Sequence, residues 1–236
     1  MFRNLTALNS EVHQNFCLQP SQSFHFAADT HLIKVMLPEF VQVSPQAPIL
    51  FIEQSNDEGF IPVMLMGLNH GENIFVNNHG DWIGGYIPAL IRRYPFSLVK
   101  SGDDNKLVVC FDESSGRLSA TSQDEGAQAL FIDGQPSDTL ISVQNFLGEI
   151  NIIESNTDSF VADLVAKNLL KPIDINYNES ESNKTIRGAF VINEERLNNL
   201  PNETFIDFKN KGYLVAIYAH LISLQAVSKL INKKET

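Results

Sequence analysis

Cysteine is nearly absent from this sequence: Cys17 and Cys110 are the only two among 236 residues. Neither has a second cysteine nearby, which excludes zinc-ribbon and CxxC redox chemistry. Both stand among apolar neighbours, where a buried, inert thiol is expected. Phosphate cradles are missing, because no GxxxxGK[ST] and no GxGxxG run occurs. No GxSxG nucleophile elbow occurs either. Basic residues are scarce, with 17 Lys and Arg against 28 Asp and Glu for a net charge of -11. Such a chain lacks the basic face that nonspecific nucleic-acid binding needs, and the same balance speaks against electrostatic docking on anionic lipid. Long hydrophobic runs are missing too. The most apolar windows, Ile61 to Leu68 and Leu214 to Leu224, are too short to cross a bilayer. The first sixteen residues hold no continuous apolar stretch, so no signal peptide is expected. The expectation is a cytoplasmic protein with no integral membrane segment and no nucleic-acid partner.

What is present begins as strands. The segment 23–27 is expected to be a short strand. PILFIEQ (48–54) and IPVMLMGL (61–68) suit buried strands, rich in β-branched and apolar residues. NHGEN (69–73) is a turn signal, with 73–77 as the return strand, and NNHGD (77–81) is a second turn. Segments 96–100 and 106–112 flank SGDDN as a hairpin, and Asp133-Gly134 tips another turn. From Thr139 to Asn168 apolar residues recur near the 3.6 period, which predicts a long helix. Segments 173–177 and 185–192 are expected to pair around the acidic loop NESESN. Asn193 and Asn202 are each placed to cap a following helix. Tyr213 to Asn232 is the strongest helical pattern, with Leu214, Ile217, Tyr218, Leu221, Leu224 and Leu230 as its expected inner stripe. The fold class read from this order is α+β: an antiparallel-rich sheet in the N-terminal part, then a mainly helical C-terminal part. One domain over 1–236 is expected, strand-rich over 1–137 and helix-rich over 138–236.

The run WIGGYIPALIRRYPF (82–96) is the most specified stretch. Pro88 and Pro95 fit the start and end of a short helix, and Gly84-Gly85 permits a sharp turn before it. Arg92 and Arg93 stand where apolar neighbours can desolvate them, and a desolvated guanidinium needs a carboxylate, a phosphate or carbonyls. Two readings stay open. Trp82, Tyr86, Tyr94 and Phe96 fill a seam of the core, or they line a pocket in which the arginines face an anion. Asp112 and Glu113 end the apolar strand LVVCFDE and are expected to neutralise Arg92 or Arg93; a role as base or ligand is the alternative. His220 sits in the apolar last helix, where a hydrogen-bonded core residue is the expectation and a catalyst the alternative. His79-Gly80-Asp81 has the H-x-D spacing of an iron site, with His70 or His220 as distal ligand. Glycine-flanked, solvated histidines explain that pattern more simply, so no metal and no cofactor are expected.

Five stretches together resemble the SapC family over nearly the whole chain: GLNHGENIFV (67–76), W-x-GGYIPA-x-IRRYPF (82–96), LVVCFDESSGRLS (107–119), F-x-DG-x-P (131–136) and YAHLISL (218–224). RGAFVINEERLNNL (187–200) is similar to the stretch ahead of the family's last helix. The family comprises bacterial proteins named from a locus for surface-layer protein export, and it is distinct from a peptide-transporter permease of the same name. The resemblance implies a cytoplasmic accessory protein, encoded near flavin-dependent halogenase-like proteins, cupin-like proteins and outer-membrane receptors for nutrient uptake. The leading expectation is a non-enzymatic accessory or binding module for envelope export or uptake, which takes a protein partner or a small anionic ligand at the aromatic–arginine run. The alternative is a small-molecule enzyme, or enzyme subunit, working with halogenase-like partners through Asp112, Glu113, His220 and Arg92. A structural role through a homodimer is the third reading.

Overall fold

The computed structural model of the chain describes residues 1–54, 59–102, 106–120, 125–179 and 182–234. In chain order its first elements are β1 (Leu5–Ala7), α1 (Ser10–His13), β2 (Cys17–Leu18), β3 (Leu32–Lys34), α2 (Phe40–Val43), β4 (Ile49–Glu53) and β5 (Phe60–Leu65). Next come α3 (Ala89–Arg92), β6 (Phe96–Ser101), β7 (Lys106–Asp112), β8 (Leu118–Ser119), β9 (Gln128–Ala129), β10 (Phe131–Ile132) and β11 (Gln135–Pro136). The last are α4 (Asp138–Ala166), β12 (Leu170–Glu179), β13 (Ser182–Ile192), α5 (Glu194–Asn198), α6 (Asn202–Asn210), α7 (Tyr213–Ser223) and α8 (Ala226–Lys234). Antiparallel sheets in the N-terminal part and helices in the C-terminal part make the fold α+β, as expected.

The chain divides into two compact units, each drawn from three stretches. The first comprises Met1–Ala27, Val76–Trp82 and Ala89–Ile152, and the second Ala28–Phe75, Ile83–Pro88 and Ile153–Thr236. In the first unit the sheet order is β1-β7-β6, and the expected hairpin is present with Phe96 opposite Phe111 and Ser101 opposite Lys106. Its tip at 103–105 lies outside the described residues. β10 and β11 are joined by Asp133 and Gly134 at φ 50° and 74°, the left-handed pair that a two-residue hairpin turn requires. The core of this unit gathers Phe96, Phe111, Leu130, Phe131, Leu140 and Leu147. In the second unit five strands run in the order β12-β13-β4-β5-β3. Phe40, Phe51, Phe160 and Phe208 are fully buried there.

Four local expectations are corrected. Residues 23–27 form no strand; His25–Ala27 is a 3-10 turn, because Phe24 N–H donates to the Gly80 carbonyl and Ala27 N–H folds back to Phe24. Residues 73–77 form no return strand. The Asn73 side chain accepts from Phe75 N–H, closing a local turn that competes with a ladder, and only an isolated bridge joins Val76 to Trp82. Asn193 caps α5 through Arg196 N–H, but Asn202 is the first residue inside α6 and follows Pro201. The last helix is broken at Leu224–Gln225 into α7 and α8.

The inner face of that helix is also rotated from the expected stripe. Tyr213, Ala216, Ile217, Ala219, His220 and Ser223 are buried, whereas Tyr218 points outward. Small residues let the helix approach the sheet closely, and Ser223 Oγ and His220 Nε2 take main-chain N–H groups of Ile49 and Ile192 at 2.9 and 3.0 Å. Taken together, Tyr213–Asn232 is long and apolar enough to cross a membrane, by length and composition only. The expectation of no such segment rested on the shorter window ending at Leu224.

Candidate functional site

The stretch 82–96 is shared between the two units. Residues 83–88 belong to the second. There Gln46 clamps the glycine turn: its Oε1 accepts from Gly85 and Tyr86 N–H, and its Nε2 donates to the Tyr86 carbonyl. The Tyr86 hydroxyl donates to the buried Glu39 at 2.8 Å. Tyr86 therefore anchors a loop. His220 lies in the same unit, fully buried against Phe51, with its Nε2 accepting from Ile192 N–H. Burial pushes its pKa down to about 4, with an opposing contribution from the Ile49 backbone, so the neutral ring is what the core holds.

Trp82 and residues 89–96 belong to the first unit. Pro88 precedes α3, a single turn that ends as Arg93 and Tyr94 N–H groups reach the Ala89 and Ile91 carbonyls. Arg92 is exposed and lies 5.2 Å over the Phe146 ring of α4. Arg93, half-buried, lies 5.5 Å over Phe2. The adjacent guanidinium groups thus go to different rings. Phe96 is 3 % exposed and packs inside the core.

Tyr94 is the centre of this neighbourhood. Its ring stacks on Phe26 at 3.9 Å and 12°, and Phe2 lies 5.5 Å away. Its hydroxyl donates to Asp112 Oδ2 at 3.2 Å. Burial first, then the charge and hydrogen bond of Asp112, push its pKa up to about 12, against the opposing charges of Arg117 and Arg3. Asp112, 1 % exposed, also accepts from the main-chain N–H groups of Arg3, Asn4 and Ser114 and from the Ser114 hydroxyl. Burial alone would raise its pKa, but those donors, Ser114 foremost, hold it below the usual carboxylate value. Among the described residues neither Arg92 nor Arg93 pairs with it, contrary to the expectation. Backbone N–H groups at the start of the chain do that work instead. Glu113 is exposed and ties down the same segment, accepting from Asn4 Nδ2 at 2.8 Å.

Arg117 is the cation that the sequence reading passed over. It follows Gly116, whose φ of 65° turns the chain back from the end of β7. Its two terminal nitrogens donate to the Tyr94 and Gln19 carbonyls at 3.3 and 3.4 Å, and its buried Nε makes no hydrogen bond. Burial pushes its pKa down, with only the nearby Tyr94 opposing. A guanidinium carries five N–H donors in a fork that matches carboxylate or phosphate, and here it meets neutral, long acceptors only. Rings continue the neighbourhood: Trp82 to Phe24 at 5.9 Å, Phe24 to Phe26 at 6.0 Å, then Tyr94. Phe2, Phe24, Phe26 and Trp82 are each half-exposed. The signals for this row were the alternating Phe-His-Phe at 24–26 and the lone arginine after Gly116, just past the apolar strand LVVCF.

Among the described residues no group of three or more His, Cys, Asp and Glu is placed to hold a metal. His31 and His70 lie with ring centroids 4.8 Å apart, away from His79 in sequence and without a third donor. An open groove of about 540 Å³ in the first unit is lined by Leu8, Leu107, Val109, Phe131, Pro136 and Leu140, and does not include the Tyr94 cluster.

No curated protein and no solved structure matches this chain. The family described as SapC matches it over residues 8–230.

Proposed function

The chain belongs to the SapC family, and on that premise we propose that it is a cytoplasmic accessory binding module of envelope export or nutrient uptake, which captures an anionic group at the Tyr94 site. Arg117 supplies the fork, Arg3 adds long-range attraction, and the half-exposed rings of Phe2, Phe26 and Trp82 cover an apolar part of the ligand. The observation that carries this reading is Arg117: a desolvated guanidinium with two neutral acceptors and no carboxylate among the described residues. Binding is favoured over catalysis because Asp112, Glu113 and His220 each hold main-chain or side-chain donors of the fold itself.

Calorimetric titration with benzoate and with phenyl phosphate tests the reading. Arg117→Ala is expected to weaken the better of the two by about tenfold or more, the worth of a charge-assisted fork. Arg117→Lys should restore only part, since a point charge lacks the fork. Arg92→Ala should leave the affinity unchanged. Equal affinity in wild type and Arg117→Lys, or no binding of either anion, would sink the proposal.

A further inference from the structure

The ring row beside Arg117 is longer than a single small acid. From Tyr94 it passes to Phe26 at 3.9 Å, then to Phe24 at 6.0 Å and to Trp82 at 5.9 Å, all within the first unit. Phe24, Phe26 and Trp82 are half-exposed. A benzoate-sized ring with its carboxylate at Arg117 spans one step of this row and is too short to lie along the outer two rings as well. Those outer rings have a pitch. Alternate side chains of an extended chain share a face and recur every two residues, at about 6.4–6.8 Å. The Phe26–Phe24 and Phe24–Trp82 centroid spacings of 6.0 and 5.9 Å are close to that repeat. An extended peptide with apolar residues at every second position thus brings one side chain to each ring.

Charge limits the anion at the other end. The cationic side chains about Tyr94 are Arg3, Arg93 and Arg117, and the carboxylates are Asp112 and Glu113. Three positive charges against two negative ones leave one, which a single carboxylate neutralises. Asp112 stays ionised under its hydrogen-bond donors, Ser114 foremost. A phosphate, with a charge near -2 at neutral pH, would set its second charge against Asp112 with no cation left over.

We infer that the group captured at this site is the C-terminal carboxylate of an extended peptide, whose alternate apolar side chains lie along Phe26, Phe24 and Trp82. The inference rests on anion capture at Arg117 and adds the class of partner. Arg117 exchanges its long contacts with the Tyr94 and Gln19 carbonyls for a charge-assisted fork to the peptide terminus. The rings supply the apolar contacts, and their spacing selects alternation over a continuous apolar run. A small aromatic acid is the other source of the same carboxylate chemistry, and length separates the two.

Calorimetric titration of the full chain tests this with four probes: acetyl-Leu-Ser-Leu-Ser-Leu as the free acid, the same peptide as its C-terminal amide, acetyl-leucine, and benzoate. The free acid should bind about tenfold or more tightly than each of the other three, the worth of one further buried side chain or of the charged fork. Benzoate should bind more tightly than phenyl phosphate. Arg117→Ala should abolish the preference for acid over amide. Phe24→Ala should weaken the free acid about tenfold and leave benzoate within about twofold. The comparison of the free acid with acetyl-leucine uses the unaltered protein, so it decides the matter even where Phe24→Ala unfolds. Free acid and acetyl-leucine bound alike, or phenyl phosphate preferred to benzoate, overturns the peptide inference and leaves anion capture standing. Free acid and amide bound alike, or no binding of any probe, overturns both.

Discussion

At the residue scale, buried polar groups in this chain are held mainly by the backbone. Asp112 is the clearest instance: three N–H groups and two hydroxyls surround it. Tyr94→Phe removes one of those donors and leaves four, so a loss of about 1 kcal/mol is expected in chemical denaturation. Asp112→Ala strands several N–H groups together, and a larger loss of about 3 kcal/mol is expected. His220 gives a pH signature. Its pKa falls from 6.5 in the unfolded chain to about 4 in the fold. Between those values the unfolded state binds more protons, so stability is full above pH 6.5 and is lost as pH falls towards 4. The loss is about 3 kcal/mol as an order of magnitude. His31, lowered by burial and then by His70, works in the same direction. In His220→Gln the His220 share of that acid limb should vanish; an unchanged slope would show that the ring is not held neutral.

At the element scale, strand pairs and the long helix were legible because their patterns are local. β4 and β5 follow from continuous apolar, β-branched runs, and the β6–β7 hairpin and the Asp133-Gly134 turn from turn chemistry. The α4 period ran through Asn156-Thr157-Asp158 without a break, Thr157 being fully buried with its hydroxyl donating to Ile153 and accepting from Leu37 N–H. Tertiary partners hid the rest. Phe24 and Phe26 looked like a strand until the Gly80 carbonyl claimed Phe24 N–H. Gly80, at φ 84°, also leaves no room for a Cβ, which would fall 2.5 Å from Ser23 Oγ and 2.6 Å from the His25 ring. Gly80→Ala is therefore expected to destabilise by about 1–3 kcal/mol and to shift Trp82 emission. The rotated face of α7 was illegible because the large apolar ring of Tyr218 draws the stripe away from small Ala216, which close packing against the sheet selects instead. Overpacking by Ala216→Leu should cost about 1–3 kcal/mol, while Tyr218→Ser should change stability by less than about 0.5 kcal/mol. The reverse order in thermal melts would place the buried side elsewhere.

At the scale of the whole molecule, the strongly acidic balance sits beside a local exception, the Arg117 neighbourhood. Composition reported the first fact and concealed the second, because a net charge averages over surfaces. The Tyr94 site was half-visible for the same kind of reason. Arg93, Tyr94 and Asp112 stood in recognisable motifs, but Phe2, Arg3, Phe26 and Arg117 come from distant stretches that only folding assembles. Trp82 is the chain's only tryptophan and ends the ring row that reaches Tyr94. The most direct measurement is its emission during titration with benzoate, using benzamide as the neutral control. Saturable change with benzoate, weak change with benzamide, and loss of the benzoate response in Arg117→Ala is the expected result. An identical response to the neutral amide, or a response that survives in Arg117→Ala, would contradict anion capture at this site.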